Sequence, residues 1–231
     1  MKVGLWNLDH PEAHSGNRRK EQRFVQVLEQ LQHPSYEVWI LTESNAAIEL
    51  DGFQSEFSEK SPYLKQSRYY GEPNLYQQVS FYSRYPLSRM DVEEPINGLL
   101  CSIKVDAVEY MIYGNVITLK DRRSDTPMKY SDRLKEQIRV ISELPLNHIL
   151  IGGDFNLKKS WPAGAHKKVR QAMKPLGWCW PTEEQNDTVQ QVLHSPDLKS
   201  EVSIDTSVRH DKGKHNRLSD HPLVTIEVTI C

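Results

Sequence analysis

The sequence contains no long apolar run, and none of its stretches approaches the roughly 18 residues that a membrane-spanning helix needs. The first residues, MKVGLWNLDH, include a lysine, but Asn7 and Asp9 interrupt the apolar stretch, so we expect no secretory signal. The basic excess typical of strong non-specific nucleic-acid binding is also missing. The 29 Lys and Arg residues are balanced by 31 Asp and Glu residues, and the net charge is −2. These absences favour a soluble cytoplasmic protein, and they do not exclude a local basic groove.

Cysteine is scarce as well. The three cysteines, Cys101, Cys179 and Cys231, are widely spaced and form no CxxC pair, which argues against a zinc ribbon or a disulfide framework. We therefore expect free thiols in a reducing compartment. With 231 residues, 38% of them hydrophobic and 26% charged, the composition is globular and predicts one domain over residues 1–231.

Apolar periodicity predicts strands alternating with helices. A helix is expected from Arg19 to Gln32, because Phe24, Val27, Leu28 and Leu31 share one face, and Asn17 is its expected N-cap. Two more helices are expected over 132–143 and 166–176, whereas 158–200 otherwise has the least regular pattern. Strands are expected over 2–8, 37–44, 77–83, 98–105, 109–119, 148–157, 201–205 and 222–230. The alternation predicts an α/β domain with mixed sheets.

Four polar clusters lie at the ends of predicted strands. They are Asn7-Leu8-Asp9, Glu43, Asp154-Phe155-Asn156 and Ser219-Asp220-His221. Residues two apart in an extended chain share a face, so each Asn/Asp pair can direct two oxygen donors into one space.

Together these side chains have the oxygen-rich character that Mg²⁺ prefers. The carboxylates are Glu43, Asp9 and Asp220, and the amides are Asn7 and Asn156. His221 adds a group that titrates near neutral pH and suits acid–base chemistry or phosphate binding.

Each cluster alone has an ordinary structural explanation. An aspartate at a strand end usually forms a turn, Glu43 suits a capping position, and a lone Ser-Asp-His is more often a solvated loop. The functional interpretation therefore depends on the order and spacing of all four clusters.

That order resembles the endonuclease/exonuclease/phosphatase superfamily. The matching segments, from residue 5 to residue 224, are LWNLD, ILTES, FYSRYP, GGDFN, SID and LSDHPLV. The superfamily includes deoxyribonuclease I, exonuclease III-type abasic endonucleases, inositol polyphosphate 5-phosphatases and sphingomyelinases. The resemblance implies a four-layer α/β sandwich, in which two mixed β-sheets pack face to face with helices outside, and a metal-dependent phosphoester hydrolase.

The resemblance also implies roles for individual residues. Glu43 would be the principal ligand of Mg²⁺ or Mn²⁺, with Asn7 and Asp9 beside it and Asp220 completing the acidic cluster. Asp154 and Asn156 would position the attacking water and the phosphate. His221 would contact the phosphate, and Asp205 would orient its ring.

One feature departs from the superfamily pattern. Many relatives carry a histidine in the central strand, where this chain reads YGNVITLKD and has none. Asn115 or Thr118 would supply the missing contact to substrate, and Tyr113 is a further candidate that is as well explained as a packed aromatic. Thr206 follows Asp205 where a histidine is common, a position that varies among abasic endonucleases.

Basic residues follow several of the strands that carry the motifs, and they predict a cationic rim for a phosphate substrate. They are Arg18, Arg19 and Lys20, then Arg122 and Arg123, Lys158 and Lys159, and the run from Arg209 to Arg217. Any one of them taken alone is better explained as a solubilising surface charge. Trp161 is placed to stack a base, whereas Trp178 and Trp180 in GWCWP are better explained as packing residues.

We therefore expect a monomeric Mg²⁺- or Mn²⁺-dependent phosphoesterase, with water activated at Asp154 or at His221. A nuclease or DNA-repair enzyme acting on DNA or RNA is the first choice. A phosphatase of small molecules or lipid headgroups, such as inositol phosphates, is the alternative, favoured by the acidic balance. A catalytically silent binding module of the same fold is a third hypothesis, favoured by the missing histidine.

Overall fold

The computed structural model describes residues 1–60, 74–93, 96–119, 128–162, 164–209 and 218–231. The described residues include three α-helices, α1 (Arg18–Leu31), α2 (Tyr130–Glu143) and α3 (Ala165–Met173). The strands are β1 (Lys2–Asn7), β2 (Val38–Asn45), β3 (Gln54–Phe57), β4 (Tyr76–Ser83), β5 (Leu87–Met90), β6 (Gly98–Val105), β7 (Val108–Val116), β8 (Ile149–Asp154), β9 (Gln190–His194), β10 (Leu198–Asp205) and β11 (Leu223–Ile230).

The strands form two mixed sheets. The first sheet has the order β10-β11-β1-β2-β4-β3, and the second has the order β5-β6-β7-β8-β9. In each sheet one neighbouring pair is parallel, β1 with β2 and β7 with β8. Three of these four strands, β1, β2 and β8, carry the first three polar clusters, and both parallel pairs bring their carboxyl ends to one edge of a sheet.

The sheets pack face to face across an apolar layer that includes Val3, Leu5 and Ile40 from the first sheet and Ile112 and Leu150 from the second. Helix α1 covers the outer face of the first sheet, with Phe24, Val27 and Leu31 buried against the two tryptophans Trp6 and Trp39. Helices α2 and α3 cover the outer face of the second sheet. The predicted four-layer sandwich is therefore confirmed.

Most predicted elements lie within one to three residues of their observed bounds, and Asn17 caps α1 as expected, accepting hydrogen bonds from the backbone of Arg19 and Lys20. The exceptions are short strands. The pattern gave no sign of β3, β5 or β9, whereas the strand predicted over 201–205 is present and begins three residues earlier, at Leu198. Strands β3 and β5 are four-residue edge strands with mostly polar, exposed side chains, so they lack the apolar alternation that identifies a strand.

No helix in the described part of the chain is long and apolar enough to cross a membrane. The three cysteines are free thiols, as predicted, with Cys101 buried between the sheets and Cys231 exposed.

Candidate active site

The two sheets meet at a pair of buried polar side chains. Asn7 ends β1 and Asp154 ends β8, and both continue the alternation that places Leu5 and Leu150 in the layer between the sheets. The Asn7 side-chain amide donates to Asp154 Oδ2 over 2.8 Å. Asn7 is fully buried and Asp154 is 1% exposed. Residues 147 positions apart are thus joined at the centre of the predicted site.

Further hydrogen bonds fix the position of Asn7. Its backbone N–H donates to Gln190 Oε1 over 2.6 Å, and its carbonyl accepts the Ser219 hydroxyl over 2.5 Å. Its Oδ1 accepts the backbone N–H of Asp9 over 2.9 Å. Because of this hydrogen bond, the chain turns back over the site directly after β1. Because every polar group of Asn7 is engaged, its amide has one orientation available.

Glu43 lies near the end of β2, in a backbone conformation that breaks the regular strand. Its φ of +50° is in the left-handed region, and His10 opposite it has φ +52°. The backbone N–H of His10 donates to the Glu43 carbonyl over 3.0 Å, and His10 Nε2 lies 2.9 Å from Glu43 Oε2. The carboxylate is therefore held from one side by an imidazole.

The electrostatic surroundings favour the ionised form of Glu43. Burial acts to raise the pKa of its carboxyl group, but the hydrogen bond and charge of His10, the charge of His221 and a contact from Asn7 outweigh burial. The pKa is lowered from its ordinary value of 4.5. Glu43 is an anion at neutral pH.

Asp154 is shifted in the opposite direction. Burial raises the pKa of its carboxyl group and the charge of Glu43 adds to this effect, while His221 and hydrogen bonds from Asn156 and Asn7 oppose it. The backbone N–H of Asn156 donates to Asp154 Oδ1 over 2.8 Å. Asn156 adopts a φ of +48°, and its side-chain amide donates to the Ile117 carbonyl over 3.1 Å. Two neighbouring carboxylates therefore differ in proton affinity, which is a common property of catalytic sites.

Two further carboxylates and His221 complete the cluster. Burial raises the pKa of Asp9, and the negative charges of Asp220 and Glu43 contribute to the same shift, although Arg23 and His10 oppose it. Asp220 Oδ1 lies 3.3 Å from His221 Nε2. The backbone N–H of His221 donates to Ser219 Oγ over 3.0 Å. The segment after residue 218 therefore lies against Asn7 at the site, through the Ser219 hydroxyl.

The donor set fits a hard divalent cation. The negative charges of Asp220 and Glu43 act on Asp9 and add to the effect of burial in raising the pKa of its carboxyl group. Asp220 Oδ1 is shielded from solvent and accepts no hydrogen bond from the described residues, although His221 Nε2 lies 3.3 Å away. Mg²⁺ prefers such oxygen atoms and retains several waters. Within the described residues, no three His, Cys, Asp or Glu side chains already converge on one point at metal-binding distance.

A protein-family model matches residues 4–221 of the chain, and it is the model of the Endonuclease/Exonuclease/phosphatase family. The chain belongs to this family. Its members are hydrolases that act on phosphoesters. No curated protein sequence matches the chain.

Solved structures of other family members share this fold. The endonuclease domain of TRAS1, a telomere-specific non-LTR retrotransposon, superposes with a TM-score of 0.67 at 14% identity, over 99% of this chain and 98% of that one. D. rerio TDP2 complexed with a single-strand DNA product superposes with a TM-score of 0.66 at 13% sequence identity, over 99% of this chain and 98% of that one. A mannosyl-6-phosphatase from Bacteroides thetaiotaomicron superposes with a TM-score of 0.65 at 13% sequence identity, over the full length of both chains. At these identities the likeness establishes the fold alone.

The structure places the candidates for the missing family histidine on the helix side of the second sheet. Asn115 is fully buried and donates to Gln137 Oε1 of α2 over 3.1 Å, and the Tyr113 hydroxyl donates to the same oxygen over 2.9 Å. Thr118 accepts a 2.6 Å hydrogen bond from Arg133 of α2. These contacts explain Tyr113 and Asn115 as groups that join β7 to α2.

Gly153 shows how closely β7 and β8 approach beside the site. A Cβ atom at Gly153 would lie 2.1 Å from the Asn115 carbonyl oxygen and 2.2 Å from Asn115 Oδ1. Gly153 of the motif GGDFN is therefore required for packing here.

Asp205 is not brought to His221. Its side chain is exposed, and its Oδ1 accepts the backbone N–H of Ser207 over 2.7 Å, a local turn after β10. Among the described residues the carboxylate nearest the His221 ring is the adjacent Asp220. No ion pair or hydrogen bond joins Asp205 to His221, although both lie among the described residues, and a local backbone donor engages Asp205 Oδ1.

The predicted cationic rim is partly neutralised. Lys20 pairs with Glu12 over 2.6 Å, and Lys159 pairs with Glu184, which also accepts from Arg170 over 3.0 Å. Arg18 and Arg19 are exposed, and Lys158 is half-buried. Arg122 and Arg123 lie outside the described residues, as does most of the Arg209 to Arg217 run.

The three tryptophans of the segment after β8 differ in their exposure and contacts. Trp161 is 41% exposed, Trp178 is 7% exposed and packs in the apolar cluster under α2 and α3, and Trp180 donates to Gln191 over 2.8 Å.

Two residues at the site were not predicted from the sequence. His10 directly follows the recognised LWNLD segment, and its contact with Glu43 depends on two left-handed residues that no pattern indicated. Gln190 lies in the unpredicted strand β9. Its buried side chain joins Asn7 to the Pro222 carbonyl over 2.8 Å, and no local signal marks such a long-range bridge.

Proposed function

We propose that the protein is a divalent-metal-dependent phosphodiesterase that cleaves nucleic acid. The observation that carries the proposal is the hydrogen-bonded pair of Asn7 and Asp154 between the sheets, beside the ionised Glu43. Asp154, whose pKa is raised, thus lies next to Glu43, whose pKa is lowered. This difference suits Asp154 to accept a proton and Glu43 to hold a cation.

Glu43, Asp9, Asp220 and Asn7 would hold Mg²⁺ or Mn²⁺. The cation, when bound, supplies positive charge that stabilises the charge developing on the phosphate. Asp154 is oriented by two donors, and its raised pKa suits it to accept the proton of the attacking water. Asn156 and His221 lie beside Asp154, and in this proposal they would donate hydrogen bonds to the phosphate oxygens.

Two observations support nucleic acid as the substrate. The exposed Trp161 follows Asn156 by five residues, and reciprocal backbone hydrogen bonds of 2.8 and 3.0 Å between Lys158 and Trp161 hold the intervening turn. An exposed indole on a hydrogen-bonded turn is suited to stacking a base, and the half-buried Lys158 adds a positive charge for the nucleic-acid backbone. The solved relatives named above include an endonuclease domain and a complex with a DNA product.

Replacing Trp161 with alanine should weaken DNA binding by about 5- to 150-fold, the equivalent of one lost stacking contact of about 1–3 kcal/mol. The effect should appear in KM for a single-stranded oligonucleotide, whereas KM for bis-p-nitrophenyl phosphate, which has no base, should stay unchanged. Trp161→Phe should retain part of the affinity. Equal KM values for wild type and Trp161→Ala on DNA would show that the indole takes no part in binding.

A small-molecule phosphatase is the second candidate. The pairing of Lys20 with Glu12 and of Lys159 with Glu184 favours it, because both pairs remove positive charge from the rim that a DNA backbone would use. The mannosyl-6-phosphatase shows that this fold occurs in an enzyme named for a sugar phosphate.

A substrate panel distinguishes the two candidates. It should contain single-stranded DNA, a duplex with an abasic site, bis-p-nitrophenyl phosphate, inositol phosphates and a hexose 6-phosphate. The nuclease proposal predicts the highest kcat/KM on a DNA member. A preference for either phosphomonoester class would establish the second candidate instead.

A further inference from the structure

His10 is built into the site more firmly than a residue of an ordinary surface loop. The imidazole packs against the Tyr76 ring, with ring centroids 4.6 Å apart and an interplanar angle of 45°. Its Nε2 atom lies 2.9 Å from Glu43 Oε2, and its backbone N–H donates to the Glu43 carbonyl over 3.0 Å. One residue therefore contacts both the main chain and the side chain of Glu43.

The backbone on both sides of His10 is also fixed. Arg23 of α1 donates to the Asp9 carbonyl over 2.9 Å and to the Leu8 carbonyl, and Asn45 donates to the Pro11 carbonyl over 2.9 Å. Asp9 and His10 adopt φ values of +50° and +52°, which are uncommon for residues with side chains. The surrounding hydrogen bonds hold these conformations in place, a feature that often marks functional segments.

The contact leaves one carboxylate oxygen of Glu43 for other partners. His10 occupies Oε2, while Asn7, His221 and Asp154 interact with the carboxylate from the rest of the cluster. A fixed donor at one carboxylate oxygen restricts the side-chain rotation of the glutamate before any ligand binds. Hydrogen-bond partners of this kind orient metal ligands, and their loss typically lowers metal affinity 10- to 100-fold.

We propose that His10 is a positioning residue, which holds the Glu43 carboxylate through the Nε2–Oε2 contact so that the other oxygen is presented to a divalent cation. This inference rests on the proposed function, because it takes Glu43 to be a metal ligand. Its content is separate, since it assigns the orientation of Glu43 to a residue that the recognised family motifs do not include.

Two variants separate the hydrogen bond of His10 from its ring packing. His10→Gln keeps an N–H donor near the position of Nε2 but loses the ring, whereas His10→Phe keeps a ring against Tyr76 but loses the donor. His10→Ala loses both. His33→Ala, a substitution of an exposed histidine after α1, is the matched control. Mn²⁺ binding is measured directly, from the electron paramagnetic resonance signal of the free ion, and thermal unfolding in EDTA reports on folding.

The proposal predicts that His10→Phe and His10→Ala bind Mn²⁺ about 10- to 100-fold more weakly than wild type. His10→Gln and His33→Ala should bind within a few-fold of wild type, and all four variants should remain folded in EDTA.

Retained affinity in His10→Phe together with lost affinity in His10→Gln would assign the effect to ring packing and overturn the proposal. Wild-type affinity in all the His10 variants would also overturn it, while leaving the metal site intact. A wild-type protein that binds no Mn²⁺ would instead contradict the metal dependence in the proposed function.

Discussion

Asp154→Asn should lower kcat for phosphodiester hydrolysis by about 10²- to 10⁴-fold, the contribution of a positioned acid–base group. The asparagine has nearly the same shape, and its carbonyl oxygen can still accept the 2.8 Å hydrogen bond from Asn7. It cannot accept a proton from water. Because Asp154 is 1% exposed and lies between the sheets, the substitution removes a charge without opening a cavity.

The same variant should show a stability change of a definite sign. Since the pKa of Asp154 is raised in the folded protein, the folded state binds the proton more tightly than the unfolded state does. This contribution to stability is complete below the unfolded pKa near 3.8 and is lost as the pH rises through the higher folded pKa. The melting temperature of Asp154→Asn relative to wild type, measured in EDTA, should therefore increase as the pH rises across that interval.

Asp197→Asn is the matched control for both measurements. Asp197 lies near the opposite end of β8, where it pairs with His148 over 3.2 Å, and its pKa is lowered rather than raised. Its substitution should leave kcat near the wild-type value, and its stability effect should change with pH in the opposite direction. Comparable losses of kcat in the two variants would indicate a general structural effect instead of a role for Asp154.

Glu43→Gln should weaken divalent-metal binding by more than about 100-fold, a larger loss than the removal of a hydrogen-bond partner produces. Glu43 is the carboxylate of the cluster whose pKa is lowered, so it supplies a full negative charge at neutral pH. Asn7 and Asn156 are neutral and cannot replace that charge. Binding of Mn²⁺ and the Mg²⁺ concentration for half-maximal activity should change together.

Glu49→Gln provides the comparison for this variant. Glu49 is exposed in the segment that follows β2, so its substitution removes the same charge from the protein surface. It should leave both metal measurements unchanged. Near-normal turnover of Glu43→Gln at low Mg²⁺ would contradict the assignment of Glu43 as a ligand.

The layers of the fold and the centre of the site were predictable because they depend on local patterns. Apolar periodicity located the strands that end in Asn7 and Asp154, and polar residues directly after buried strands are visible in the sequence. The family motifs then supplied the order in which the strands meet. That order assigns Asn7 and Asp154 to one site, and their direct hydrogen bond is an observation of the structure that the sequence did not predict.

The features that were missed depend on backbone conformation or on distant partners. The contact of His10 with Glu43 requires left-handed backbone at both residues, and neither is a glycine that would have indicated it. Gln190 reaches Asn7 from a strand 183 residues away. Asp205 was assigned to His221 by motif alone, and in the structure the N–H of Ser207 two residues later engages it.

Metal-dependent phosphodiesterase activity is tested most directly by the cleavage of end-labelled DNA. The protein is first stripped of metal with EDTA and then supplied with Mg²⁺ or Mn²⁺. Wild-type protein should be inactive after stripping and should recover on metal addition, whereas Asp154→Asn should stay inactive under both conditions. Cleavage that persists in EDTA, or that Asp154→Asn performs at the wild-type rate, would contradict a metal-dependent phosphodiesterase centred on Asn7, Glu43 and Asp154.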